Sequence, residues 1–304
     1  MNQIDLSIIV ASYNTQDLLR NCLSSIFRQT HDITYEVIVI DDRSPDNSVA
    51  MVRSEFPQVV LVVNDQNLRY AKTNNKGLKI AKGRYGLLLN SDVEVQSGAF
   101  DMLVTFMDSN PEAAAAGPKL INPDGSIQHC IRSFPSLLPM VLQTLNLHKV
   151  WPGNPITDKY YNTNFEYDKV QAVQSIGTTA FIIRRSVWET YGCLDERFSL
   201  AFVDLAYCFM LGQHKQKIFF FPNSVVMHHG SQSINQSGTK EIRLQHEALQ
   251  DFYDLYYAEN HTLLTRRLVH IGIHIRLFLK IVEYHFSSDK RVIKGPGAPK
   301  LSRS

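Results

Sequence analysis

Apolar positions in the first hundred residues follow two alternating rhythms. LSIIVAS (6–12), YEVIVI (35–40), VVLVV (59–63) and YGLLL (85–89) are short continuous runs, the pattern of strands buried on both faces. Between the first two, Leu18, Leu19, Cys22, Leu23, Ile26 and Phe27 fall at helical spacing, after Asn14 and Thr15, either of which suits an N-cap. Ser44-Pro45 opens a second predicted helix, with proline in its first turn. Residues 70–82 read as a third helix, ended by Gly83. Strands alternating with helices imply parallel pairing through right-handed crossovers. The expected architecture is an α/β open, mostly parallel twisted sheet flanked by helices.

The second half is less regular. Residues 130–170 hold Pro135, Pro139, Trp151-Pro152 and Pro155 and read as a long loop region with short helices. QAVQSIG and TAFIIRR, within 171–185, read as strands around Gly177, and SVWETYG (186–192) as a short helix. IFFFP (218–222) is a further strand and EIRLQHEALQDFYDLYYAEN (241–260) a helix. TLLTRRLVHIGIHIRLFLKIVEYHF (262–286) is rich in Leu and Ile with Arg and Lys interspersed, and 287–304 reads as a flexible end.

Composition narrows the class. With 44% hydrophobic and 20% charged residues, a chain of 304 residues is not disordered as a whole. No window approaches the roughly 20 apolar residues of a bilayer-spanning helix, and MNQIDLSIIVAS lacks the features of a secretory signal. Cys22, Cys130, Cys193 and Cys208 show no CxxC spacing, so a reducing cytosol is expected, with neither a disulfide scaffold nor a cysteine zinc site. From Thr262 onward, nine Lys or Arg against two acids give +7; the remaining 22 and 27 give −5. A basic appendage on an acidic body points to an anionic partner, a membrane surface or nucleic acid.

In an open α/β sheet, ligands sit beyond the carboxyl ends of the strands. Ser12-Tyr13-Asn14 follows the first strand, Asp41-Asp42 the second and Asn90-Ser91-Asp92 the fourth. Neither GxGxxG nor GxxxxGK[ST] is present, which argues against a nicotinamide enzyme and a P-loop NTPase. Asp92 reads either as a turn former or as a ligand for Mg²⁺ or Mn²⁺, which prefer oxygen donors. Asp41-Asp42 reads equally as an Asx-turn or as acceptors for a base N–H or ribose hydroxyl. His228-His229, after an apolar strand, reads as surface, core or metal-binding imidazole. Asp204, among Phe202, Val203 and Leu205, reads as a helix cap or, if buried, as a general base of raised pKa.

Together these segments resemble glycosyltransferase family 2, inverting sugar-nucleotide transferases of GT-A fold, over roughly residues 5–235. LSIIVASYN is similar to the family's opening strand and Tyr-Asn turn, and VIVIDDRSPDNS to its Asp-Asp/Asn-x-Ser element. NLRYAKTNNKGLKIAKGRYGLLLNSDVEV resembles its Asn-x-Gly-Phe-Ala to Leu-Asn-x-Asp run. GCLDERFSLAFVDLAYC resembles the Gly-x-x-Asp-Glu-x-Phe…Glu-Asp-x-Asp motif, and VVMHHGSQS the His-x-Gly-x-x-Ser. The subgroup most resembled adds rhamnose or similar sugars to bacterial cell-surface glycans.

The resemblance implies roles. Ala11 and Tyr13 line the base pocket, Asp41 and Asp42 read base and ribose, and Asn74 reaches the nucleotide. Asn90 and Ser91 share the Asp-x-Asp position with Asp92, the metal carboxylate. His228 completes the metal site, and Asp204 is the catalytic base. Val203 and Ala206 stand where the family has Glu and Asp, and Arg69 stands where it has Gly, bringing a guanidinium toward the diphosphate that either helps bind phosphate or partly closes the pocket. The implied protein is an inverting, Mg²⁺- or Mn²⁺-dependent hexosyltransferase. Its donor is a nucleotide-diphosphate sugar, dTDP-rhamnose or a UDP-sugar, and its acceptor a glycan or lipid-linked glycan. The expected location is cytoplasmic; the 262–286 segment reads either as a helix packing on the catalytic domain or as one lying on the anionic inner face of the cell membrane, and its basic charge tips the balance slightly to the membrane. The implied layout is a catalytic domain over 1–240 (nucleotide part about 1–120, acceptor part about 121–240), C-terminal helices over 241–286 and a tail over 287–304. Val203 and Ala206 also motivate a rival, a degenerate member that binds without turnover. A nucleic-acid protein using the tail ranks below both, and no nucleic-acid partner is expected.

Overall fold

A computed structural model describes residues 3–134, 160, 162, 164–199, 201–230 and 238–286. Most of the 130–170 loop region and the 287–304 tail lie outside the described residues. The chain divides into two compact units, one of residues 1–132 and 165–230, the other of 133–164 and 231–304.

In the first unit, β1 (Leu6–Ser12), α1 (Gln16–Gln29), β2 (Tyr35–Asp41), α2 (Ser48–Glu55), β3 (Val60–Val63), α3 (Arg69–Ile80) and β4 (Tyr85–Asn90) alternate as the pattern predicts. They are followed by β5 (Val93–Val95), α4 (Ala99–Ser109), β6 (Ala113–Ile121), β7 (Ile131–Arg132), β8 (Gln171–Val173), β9 (Ser175–Ile176), β10 (Ala180–Arg184), α5 (Arg185–Tyr191), α6 (Val203–Gln213) and β11 (Lys217–His228). The main sheet runs β3-β2-β1-β4-β10-β6-β11-β5, with β8 on β11. Pairing is parallel from β3 to β4 and between β6 and β11, while β10, β5 and β8 run antiparallel to their neighbours. Leu6, Ile8 and Val10 of β1 and Leu87 and Leu89 of β4 are buried with Leu19, Leu23 and Ile26 of α1, so the runs read as two-faced strands form the core.

Beyond shifts at strand and helix ends, such as IFFFP (218–222) extending to Lys217–His228, the structure departs from the sequence reading at three points early in the chain. The second helix starts at Ser48 rather than Ser44-Pro45, because Asp46 Oδ1 accepts the Ser48 N–H at 3.0 Å and the preceding residues form a turn in which Asp41 Oδ2 accepts the Ser44 N–H. Thr15 precedes α1 without capping it; its hydroxyl turns to Ser12 and Ser91 instead. α3 ends at Ile80, and Gly83 serves close approach rather than a left-handed cap. A Cβ on Gly83 would lie 2.5 Å from Ser7 N and 2.8 Å from Leu6 C and Tyr85 O, all backbone atoms that cannot swing aside. Gly83→Ala is expected to destabilise by about 1–3 kcal/mol and to lower Tm by several degrees in calorimetry.

The second unit contains α7 (Thr239–Tyr256), a 3₁₀ turn at Ala258–Asn260 and α8 (Leu263–Phe286). No helix among the described residues is long and apolar enough to cross a membrane.

Candidate active site

Register delivers the polar residues to one edge of the sheet. Ser12 stands opposite Asp41, Ala11 lies beside both Ile40 and Asn90, and the Asp42 N–H bonds Ser12 O at 2.8 Å. Tyr13 is exposed just past this edge, and Ala11 and Asn90 are half-buried within it. Ser12, Thr15 and Ser91 form a buried hydroxyl chain, with Thr15 Oγ1 and Ser91 Oγ 2.9 Å apart, which ties the 90–92 turn to the end of β1. Ser91 is thereby a brace for the turn that carries Asp92.

The two adjacent aspartates are used differently. Asp42 Oδ1 accepts Asn64 Nδ2–H and Leu68 N–H, and Asp42 Oδ2 accepts Arg69 N–H, all within 2.8 Å. These bonds hold Arg69 at φ 65°, the left-handed conformation that favours the glycine of the family motif. Asp41 has one oxygen on Ser44 N, while its buried Oδ1 has no partner. Asn74 is similar: its Nδ2 donates to Tyr70 O at 2.9 Å, and its buried Oδ1 is unpartnered. Buried acceptors left unpaired are rare in native proteins, and each calls for a donor that binds there.

Asp92 and His228 are brought together by the pairing of β11 with β5, in which His228 stands opposite Val93 and the His229 N–H donates to Asp92 O. His228 Nε2 lies 3.2 Å from Asp92 Oδ1, both buried. Gln128 fixes the imidazole: its Nε2 donates to Asn122 Oδ1 at 3.1 Å, turning Oε1 toward His228 Nδ1 at 2.6 Å. With Nδ1–H donating there, neutral imidazole presents the Nε2 lone pair to the carboxylate, and Nε2 has no hydrogen-bond partner. Two electron-rich atoms facing each other in a buried place fit a shared divalent cation. Among the described residues no third His, Cys, Asp or Glu joins them. Two protein donors with phosphate and water oxygens completing the shell is the habit of Mg²⁺ and related ions. With no cation between them the pair can instead share a proton: burial pushes the Asp92 carboxyl up, but a protonated His228 beside it outweighs burial and holds Asp92 below the ordinary carboxylate range. Alongside, His229 Nε2 pairs with Glu94 Oε1 at 2.7 Å.

Asp204 occupies the first turn of α6, following Phe202 at φ 65°. Its Oδ1 accepts the Leu205 N–H at 2.8 Å, and Gly177 lies beside its Oδ2. Burial raises its pKa, against the opposing pull of the Leu205 N–H and the Arg132 charge. Val203 and Ala206 are buried.

Tyr70, which the sequence reading passes over, lies near enough to both carboxylates to feel their charge. Its hydroxyl donates to Thr178 O at 2.9 Å, and burial followed by the charges of Asp204 and Asp92 raises its pKa. It occupies the aromatic position of NLRYA, where the motif has Phe, and that extra hydroxyl is the sequence signal. Gln128 carries no such signal. Asn75 was also missed: it accepts Leu194 N–H at 3.0 Å and donates to Leu194 O at 2.8 Å, fastening the segment before Asp204 to α3.

Residues 7–189, more than half of the chain, match the profile of Glycosyl transferase family 2. The chain belongs to this family. It is 28% identical over 233 residues to O-antigen biosynthesis protein RfbC of Myxococcus xanthus, covering 75% of this chain but only 17% of that protein's length. It is 24% identical over 268 residues to N-acetylglucosaminyl-diphospho-decaprenol L-rhamnosyltransferase of Mycobacterium tuberculosis, covering 84% of this chain and 85% of the relative. The structure of GalNAc-T7 with UDP, GalNAc and Mn²⁺ superposes with a TM-score of 0.57 at 16% identity, over 75% of this chain and 44% of the other, and the shared fold is GT-A. As a family 2 glycosyltransferase the protein is a transferase of sugars.

Proposed function

We propose that this glycosyltransferase moves a sugar from a nucleotide-diphosphate donor, dTDP-rhamnose or a UDP-sugar, to a hydroxyl of a glycan or lipid-linked glycan, with inversion at the anomeric carbon. One observation carries the reading: the unpartnered His228 Nε2 facing Asp92 Oδ1, on the sheet edge that also bears the unpartnered Asp41 Oδ1. Ala11 and Tyr13 line the base pocket, and Asp41 Oδ1 receives a base N–H. Asp42, its oxygens engaged by α3, shapes that pocket rather than reading the ribose. Asn74 Oδ1 accepts from the nucleotide, and the Arg69 guanidinium meets the diphosphate.

Asp92 and His228 would hold Mg²⁺ or Mn²⁺, which neutralises charge on a departing diphosphate. Asp204 takes the proton from the acceptor hydroxyl as its oxygen attacks the face of the sugar opposite the leaving group; the carboxylate becomes a carboxylic acid and the diphosphate departs with the bonding electrons. Because the leaving group needs no proton, one base suffices. All four cysteines are free, which suits a reducing cytoplasmic location.

A screen of nucleotide sugars by thermal shift tests the reading. At least one is expected to raise Tm with Mn²⁺ and to lose that increment with EDTA, ligand at a hundredfold excess over Kd stabilising by about 2.7 kcal/mol. No shift from any nucleotide sugar under either condition would sink it.

A further inference from the structure

We propose that the outer face of α8 is an interfacial surface that lays the second unit onto an anionic lipid bilayer. This surface stands apart from the transfer reaction. α8 packs on α7 through one side only: Ile273 is buried and His270 Nε2 bonds Asp254 at 2.8 Å. On the opposite side Leu264, Leu268, Ile271, Ile275 and Phe278 recur at three- and four-residue steps, and Phe286, two turns on, falls on the same face. They are exposed, Leu264 by 68%, Phe278 by 66% and Phe286 by 88%. A contiguous apolar stripe of this length on a helix surface marks a place that another apolar phase covers.

The flanking chemistry selects the occupant. Arg267, His274 and His285 border the stripe, and all three are exposed. The helix's one acid, Glu283, is paired with Lys280 at 2.7 Å. The sequence beyond Phe286 adds Lys290, Arg291, Lys294, Lys300 and Arg303 against Asp289. An apolar face with Arg267 at its edge, on a helix that also carries Arg266, Arg276 and Lys280, holds too many charges to be buried across a bilayer and matches a helix lying in the headgroup layer. The same spacing would also suit a coiled-coil seam with a second copy. Such a seam draws pairing from opposite charges beside it, and here the helix's one acid, Glu283, is already paired with Lys280 of the same helix.

The test uses the full-length protein with vesicles of phosphatidylcholine alone and of phosphatidylcholine mixed with phosphatidylglycerol. Flotation should show binding to the mixed vesicles that weakens as salt rises. R267Q should weaken it about fivefold, and the paired I271S/F278S variant roughly tenfold or more. These side chains are exposed, so both variants should keep the wild-type circular dichroism and donor-induced Tm shift, which separates this proposal from the fate of the transfer reading. In F278W, tryptophan emission should shift to the blue on mixed vesicles and be quenched by brominated lipid. Equal binding by wild type and I271S/F278S, no binding to mixed vesicles, or an unquenched F278W would overturn the proposal. So would a dimer in sedimentation that I271S/F278S splits while vesicle binding is absent.

Discussion

Asp204→Asn should lower kcat/KM by about 10²–10⁴-fold while raising Tm. Both halves come from one carboxylate. As the proposed base, Asp204 must be ionised to accept the hydroxyl proton, and Asn cannot accept it. Yet burial raises its folded-state pKa above the usual carboxylate value, so ionisation costs folding stability. A raised carboxyl pKa gives stability that is fully present below the unfolded value and lost as pH rises through the folded one. At neutral pH the wild type carries that penalty and the amide does not. Asn retains an oxygen for the Leu205 N–H, so the turn at the start of α6 should survive. The acid limb of the pH–kcat/KM profile should lie above the ordinary carboxylate range in the wild type and disappear in the variant. Donor consumption with a matched acceptor, run beside calorimetry, reads both. Equal turnover by the two proteins would dispose of Asp204 as the base, and with it the inverting mechanism argued above. Absence of turnover in both, with donor binding intact, would favour the degenerate reading prompted by Val203 and Ala206.

The sheet's left half was legible because continuous apolar runs are what two-faced burial demands, and β1, β2 and β4 follow them closely. β6 was not. Ala113–Ala116 has the composition of a strong helix former, and it becomes strand because its backbone pairs with β10 on one side and β11 on the other within a closely packed core. At Gly117 the squeeze is explicit, since a Cβ there would meet Ile176 Cδ1 at 2.4 Å. The same limit governed the candidate site. Asp92 and His228 are visible as residue types at strand ends, but their meeting depends on the register of β11 on β5, a pairing across more than a hundred residues. Gln128 matters only through that meeting, and a lone glutamine in a turn announces nothing. The division of labour between Asp41 and Asp42 was likewise hidden: both fit either reading until the hydrogen bonds from Asn64, Leu68 and Arg69 fall on Asp42 alone.

His228→Gln and Asp92→Asn should each abolish the Mn²⁺-dependent part of the donor-induced Tm shift, and Gln128→Leu should weaken it without abolishing it. The three differ in what they remove. Either of the first two takes away one of two protein donors, and phosphate oxygens alone do not hold the ion in place. Gln128 touches no ion; it accepts the Nδ1 proton and so keeps the Nε2 lone pair turned to Asp92. Loss of such a supporting bond typically costs about 10–100-fold in metal affinity, so higher Mn²⁺ should restore the shift in Gln128→Leu and leave the other two unmoved. Titrating Mn²⁺ at fixed nucleotide in thermal shift, with turnover followed in parallel, distinguishes the cases. A wild-type response from His228→Gln would mean that the facing pair is only a buried polar contact. Failure of excess Mn²⁺ to rescue Gln128→Leu, in a protein that folds normally, would mean that the glutamine holds the 122–128 turn rather than the imidazole.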